Sequence, residues 1–63
     1  MDSSIKLARY LDKNNISDSE FGRKISRTPA MVGRYKRGLS IPSYHTALLI
    51  CAETGMFMNE WSY

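Results

Sequence analysis

Apolar residues recur at helical spacing along most of this chain, and polar breaks divide the pattern into short segments. Ile5, Ala8 and Leu11, with Tyr10 at the edge, fall near one stripe of a first helix running to about Asn14. Ser3 or Ser4 is the candidate cap, and Lys6, Arg9 and Lys13 lie largely off the stripe. Asn14-Asn15 then breaks the pattern, as asparagine does when it bonds its own backbone in turns. Ser17 and Glu20 stand at capping-box spacing: the hydroxyl can accept from the Glu20 amide while the carboxylate reaches back to the Ser17 N–H. A short helix follows with Phe21 and Ile25 on its inner face, and Ser26 and Arg27 end it.

Thr28-Pro29 is a second start signal, because proline is tolerated at the first helical position, where the N–H has no intrahelical partner. This helix carries Val32 and Tyr35 inward, three apart, and Gly38 follows as its C-terminal cap. A third start lies near Pro42-Ser43. Ala47, Leu48, Ile50 and Cys51 make the next segment apolar on most sides, and Gly55 terminates it. A strand is the alternative for "TALLICA", but its length and its few β-branched residues favour helix. The tail "MFMNEWSY" is rich in large apolar side chains, and Asn59-Glu60 suggests a final helical turn. The pattern therefore predicts an all-α single domain over residues 1–63, with four to five helices, two of them joined by a turn of about three residues.

Composition narrows what such a domain can do. With 63 residues it buries only about 60% of its unfolded surface, so its stability is marginal. One cysteine excludes an internal disulfide, and one cysteine with one histidine gives no metal framework. Cys51 is expected in the core as a small apolar side chain, in a reducing compartment. No run approaches the roughly 18 apolar residues of a membrane span. The start "MDSSIKLARYLDKNN" has no apolar stretch of the signal-peptide kind, so a cytoplasmic protein is expected.

The net charge of +3 is modest, but its distribution is one-sided. Arg23, Lys24, Arg27, Arg34, Lys36 and Arg37 lie between Phe21 and Ala52 with no acid among them. All six acids fall in the remaining chain, against Lys6, Arg9 and Lys13. Such a field attracts polyanions.

Enzyme readings are weak. Nucleophilic catalysis needs a nucleophile, a base and an orienting group in mutual reach. His45 is the only imidazole and falls at the start of a predicted helix, where a surface or partly buried place is expected. No glycine-rich phosphate cradle or paired-carboxylate arrangement occurs. The alternative is geometric: B-DNA's major groove, about 12 Å wide, admits one α-helix. A short helix braced on another can present its N-terminal part to base edges while the first helix crosses the backbone. That places Pro29, Ala30, Gly33 and Arg34 toward the groove.

Residues 17 to 38, "SDSEFGRKISRTPAMVGRYKRG", resemble the helix-turn-helix of the Cro and lambda-repressor-like (XRE-type) family without a gap. Phe21, Ile25, Val32 and Tyr35 fall on the family's core positions, Gly22 on its small-residue contact position and Gly38 on the glycine ending the recognition helix. More loosely, "SIKLARYLDKNN" is similar to the family's first helix, and "IPSYHTALLICAETGMFMNEW" to its fourth and fifth. Four positions depart from the pattern. Asp18 replaces a frequent glutamine beside a phosphate, Ser26 the usual turn glycine, Arg27 an apolar residue, and Lys36 an acid.

The resemblance implies a Cro-like repressor of phage or prophage type, binding a pseudo-palindromic double-stranded operator as a dimer. Arg34 is the leading base reader, since its guanidinium can bond bidentately to guanine O6 and N7; a phosphate contact is its plainer role. Ala30 offers a methyl to thymine, Met31 either reaches the groove or packs, and Pro29 and Gly33 complete the base-facing set. Arg23, Lys24, Arg27, Lys36, Arg37 and Ser40 are candidate phosphate contacts, which position without reading sequence. Thr28 and Tyr44 are further candidates, with capping and core packing as their respective alternatives. Gly33 should cost its helix about 1 kcal/mol relative to alanine, which suggests close approach to the groove, against an ordinary exposed glycine. Phe57, Met58, Trp61 and Tyr63 supply the candidate dimer interface, weak or formed only on DNA, with Trp61 the first choice to close the core. No cofactor, metal, membrane or small-molecule ligand is expected. The competing reading is a protein-interaction module on the same fold: an antirepressor, an inhibitor or an antitoxin-type regulator.

Overall fold

The computed structural model describes residues 2 to 56. It is all-helical: α1 spans Asp2–Lys13, α2 Asp18–Ile25, α3 Pro29–Lys36 and α4 Tyr44–Thr54, with no strand among the described residues. "TALLICA" is helix. The closing turn expected at Asn59-Glu60 lies outside the described residues.

Each helix after the first begins on a hydroxyl. Ser17 accepts from the Glu20 N–H at 3.1 Å, Thr28 from Met31 at 3.2 Å and Ser43 from Thr46 at 3.4 Å. Such caps stabilise a helix by about 1 kcal/mol each. The Glu20 carboxylate turns back to accept from the Ser17 hydroxyl at 3.4 Å, where the spacing predicts the backbone N–H. Pro29 stands at the start of α3, as its missing N–H predicts.

The helix ends use left-handed backbone. Gly38 has φ 73°; its N–H donates to the Tyr35 carbonyl at 3.2 Å and that of Leu39 to Arg34 at 2.9 Å, a Schellman closure. A Cβ on Gly38 would also stand 3.2 Å from Ser4 Oγ, so the end of α3 lies close against α1. Asn15 and Ser26 both sit at φ 58° without being glycine. Asn14 donates its side-chain amide to the Tyr10 carbonyl at 2.8 Å, which supports that turn locally. Ser26 ends α2 with its N–H on the Gly22 carbonyl. Left-handed backbone costs an L-residue about 1–2 kcal/mol, so Ser26→Gly is expected to raise the melting temperature by about 4 °C or more in thermal unfolding. An unchanged or lower midpoint would show that the Ser26 turn is unstrained.

Leu7, Leu11, Phe21, Ile25, Val32, Tyr35, Ala47 and Ile50 form the core, and Tyr10, Ile16, Met31, Leu49, Cys51 and Met56 pack around it. Two sequence expectations change. Ser3 and Ser4 do not cap α1; they lie within it and are buried. Ile5 is 47% exposed, and Leu7, which the stripe omitted, is fully buried. Two residues turn a helix by about 200°, so a face built on Ser3, Leu7 and Leu11 sends Ile5 outward. Leu48 is 42% exposed, because α4 buries Thr46, Ala47 and Ile50 instead. The expected core role of Trp61 falls outside the described residues.

α3 packs on both α1 and α2, and α2 also packs on α4. Two contacts tie the end of α4 to its neighbours: Tyr10 Oη donates to the Glu53 carbonyl at 3.1 Å, and Lys24 Nζ lies 3.7 Å from the Glu53 carboxylate. The α2–α3 connection is only Ser26, Arg27 and Thr28. It folds so tightly on α2 that a Cβ on Gly22 would stand 2.5 Å from the Arg27 carbonyl oxygen. The Arg27 N–H in turn donates to the Gly22 carbonyl at 2.8 Å. Among the described residues no helix is long and apolar enough to cross a membrane.

Candidate nucleic-acid interface

Burial of Val32 and Tyr35 fixes the rotation of α3. At about 100° per residue, Ala30, Gly33, Arg34 and Arg37 take the opposite side. Pro29, Ala30, Arg34 and Arg37 are exposed, and Gly33 and Lys36 are half-buried. Met31 is half-buried and packs against the core, the second of its two sequence roles. On the flank nearer α2, Asp18, Pro29, Ala30, Gly33, Lys36 and Arg37 line a shallow depression of about 310 Å³.

Arg34 stands on the other flank and is held there. Its Nε donates to Ser40 Oγ at 2.8 Å and its Nη2 to the Leu39 carbonyl at 3.3 Å. A guanidinium has five N–H donors. These two bonds leave both Nη1 hydrogens and one on Nη2, so an end-on fork stays open. Ser40, expected at a phosphate, accepts from Arg34 and so positions it. The Schellman turn makes this possible by bringing Leu39 and Ser40 back beside the helix.

The cations assigned to phosphates divide. Lys36 does not stand free: its Nζ bonds Asp18 Oδ1 at 2.8 Å, joining the end of α3 to the start of α2. Lys24 faces Glu53. Arg37 donates Nε to the Gly33 carbonyl at 3.2 Å and Arg27 donates Nη1 to the Ser26 carbonyl at 3.0 Å; both keep further donors on an exposed side chain. Arg23 is exposed. Thr28 is an N-cap with an exposed side chain. Tyr44 is 65% exposed, so its core alternative is wrong: as the first residue of α4 it lies off the face that buries Thr46 and Ala47. His45 is exposed, as expected. Phe57, Met58, Trp61 and Tyr63, assigned to a dimer interface, lie outside the described residues.

Sequence reasoning missed two contacts at this site. Asp18 and Lys36 are departures of opposite charge in the sequence, and that opposition is the available signal for their pairing. The Ser40–Arg34 bond had no such signal, since it depends on the path of the turn after Gly38.

An alanine Cβ in place of Gly33 would meet only Arg37 Nη2 and Asp18 Oδ2, each at 3.7 Å, which is ordinary contact. The fold does not require glycine at this position. Gly33→Ala is expected to stabilise the protein by about 0.5–1 kcal/mol, read as a rise of a few degrees in melting temperature. A drop would reveal a packing demand on Gly33.

Comparison with known proteins returns no matching family model, no matching curated protein and no matching solved structure.

Proposed function

We propose that this protein is a sequence-specific double-stranded DNA-binding regulator that lays α3 in the major groove. The observation that carries this reading is the outward face of α3: a guanidinium fork oriented by Ser40 and Leu39, beside small residues that let a helix approach closely. The groove admits one helix. On this reading α2, α3 and their three-residue connection form a helix-turn-helix. Arg34 reads a guanine, Ala30 and Pro29 contact base edges through apolar surface, and Arg23, Arg27 and Arg37 contact phosphates. Direct readers are few, so DNA shape and a second half-site supply the remaining selectivity, and two copies bind one pseudo-palindromic operator. Occupying an operator that overlaps a promoter represses it.

The test is selection of bound duplexes from a random pool, followed by titration of the winning duplex at two salt concentrations. The expected result is a two-fold motif whose affinity falls steeply with salt. Absence of any salt-sensitive binding would refute the proposal.

A second reading, a protein-interaction module, draws on one observation. Leu39 and Ile41 in the loop after α3, and Tyr44 and Leu48 in the first two turns of α4, are large apolar side chains left exposed. Binding of a protein partner with no affinity for any duplex would favour it.

A further inference from the structure

The Asp18–Lys36 pair bridges two helices at the edge of the depression beside Gly33, and neither side chain is fully enclosed: 35% and 31% of their respective surfaces remain accessible. Its geometry matches something specific in DNA. Lys36 Nζ and Asp18 Oδ1 are 2.8 Å apart. In a G·C pair, guanine O6 and cytosine N4 are joined by a hydrogen bond of about 2.9 Å, and both atoms face the major groove. A donor and an acceptor held at that separation can meet an acceptor and a donor held at the same separation.

We propose that Asp18 and Lys36 together read one G·C base pair, Lys36 donating to guanine O6 and Asp18 accepting from cytosine N4. This rests on the DNA-binding reading above. The ammonium has three N–H groups, and the bond to Asp18 uses one. Asp18 Oδ1, the oxygen at the matching 2.8 Å, keeps a second lone pair beside the bond to Lys36, and Oδ2 of the same carboxylate lies 3.7 Å from the point a Gly33 Cβ would occupy. No side chain at position 33 stands between that carboxylate and the outward face of α3. The absence of a Cβ at Gly33 thereby gains a use that the fold alone does not give it.

The base edges decide the selectivity. A T·A pair also places an acceptor, O4, beside a donor, the N6 amino group. Its flanks are wrong, however. The thymine methyl crowds the ammonium, and adenine N7 repels the carboxylate. In G·C the corresponding neighbours are guanine N7, which attracts the ammonium, and a cytosine C–H edge, which leaves the carboxylate unopposed. The same pair turned end for end sets donor against donor and acceptor against acceptor. The ion pair also removes an objection to Asp18 near DNA, because its charge is already balanced by Lys36 when the phosphates approach.

Random-pool selection with the wild-type protein, Asp18→Asn, Lys36→Gln and Gly33→Ala tests this, with melting curves to establish that each variant is folded. The expected result is one G·C position in each half-site at which both polar variants lose about tenfold preference, the scale of a single mismatch. Gly33→Ala should blunt the same position by interposing a methyl. Preference at the position read by Arg34 should persist in all three. If Asp18→Asn and Lys36→Gln keep the wild-type motif at every position and change affinity uniformly, the pair is a brace or a phosphate contact and the proposal is wrong. Wild-type binding without sequence preference would overturn it while leaving DNA binding standing. No salt-sensitive binding at all would overturn both.

Discussion

Gly22→Ala is expected to remove more than half of the protein's stability. The added methyl would sit 2.5 Å from the Arg27 carbonyl oxygen and 3.4 Å from the carbonyl carbons of Arg27 and Thr28. These are backbone atoms, so no side-chain rotation relieves the clash. The turn cannot shift without loss either. The Arg27 N–H is bonded to Gly22 itself, and Thr28 caps α3 through Met31. Overpacking costs about 1–3 kcal/mol and more where backbone must move, partly offset by alanine's better helix propensity. A domain of this size holds only about 3–5 kcal/mol in total. The melting temperature should fall by about 10 °C or more. Gly33→Ala is the matched control, the same substitution on the neighbouring helix with the opposite expected sign. A Gly22→Ala midpoint within about 3 °C of wild type would show that the turn is far more compliant than its hydrogen bonds imply.

Arg34→Ala is expected to erase preference at one guanine of each half-site. A bidentate arginine–guanine contact is worth about 1–3 kcal/mol of discrimination, a factor of roughly 5 to 150. Arg34→Lys separates charge from shape. It retains the positive charge, so the salt dependence of binding should stay near wild type, while the planar fork is lost and discrimination falls. Competition binding between the selected duplex and one substituted at that guanine measures both. If the alanine variant weakens all duplexes equally, Arg34 is a phosphate contact and another residue reads the base.

Much of the fold was legible because its punctuation is chemical and local. Ser17, Thr28 and Ser43 act as caps, Pro29 as a first helical residue, and Gly38 and Gly55 as left-handed stops. Each depends on residues within four positions of itself. The face of α1 was less legible. Its buried stripe includes the small polar residues Ser3 and Ser4, the second lying against the end of α3, so hydrophobicity alone points to Ile5 instead of Leu7. α4 carries apolar residues around much of its circumference, and only tertiary packing decided that Leu48 faces out. At the candidate site, the outward residues of α3 followed from Val32 and Tyr35. What each charged group bonds did not follow, because Lys36 meets Asp18 across 18 positions and Arg34 meets Ser40 around a turn.

The hold on Arg34 has a thermodynamic consequence. A free arginine side chain carries about 2 kcal/mol of rotamer entropy, which a ligand must ordinarily quench. Here Ser40 and Leu39 take up part of that loss during folding, before any partner arrives. Engagement of the fork should therefore carry a smaller entropic penalty than a freely rotating arginine would impose. The loop after α3 acts as a store of conformational order, set aside by folding and spent in recognition.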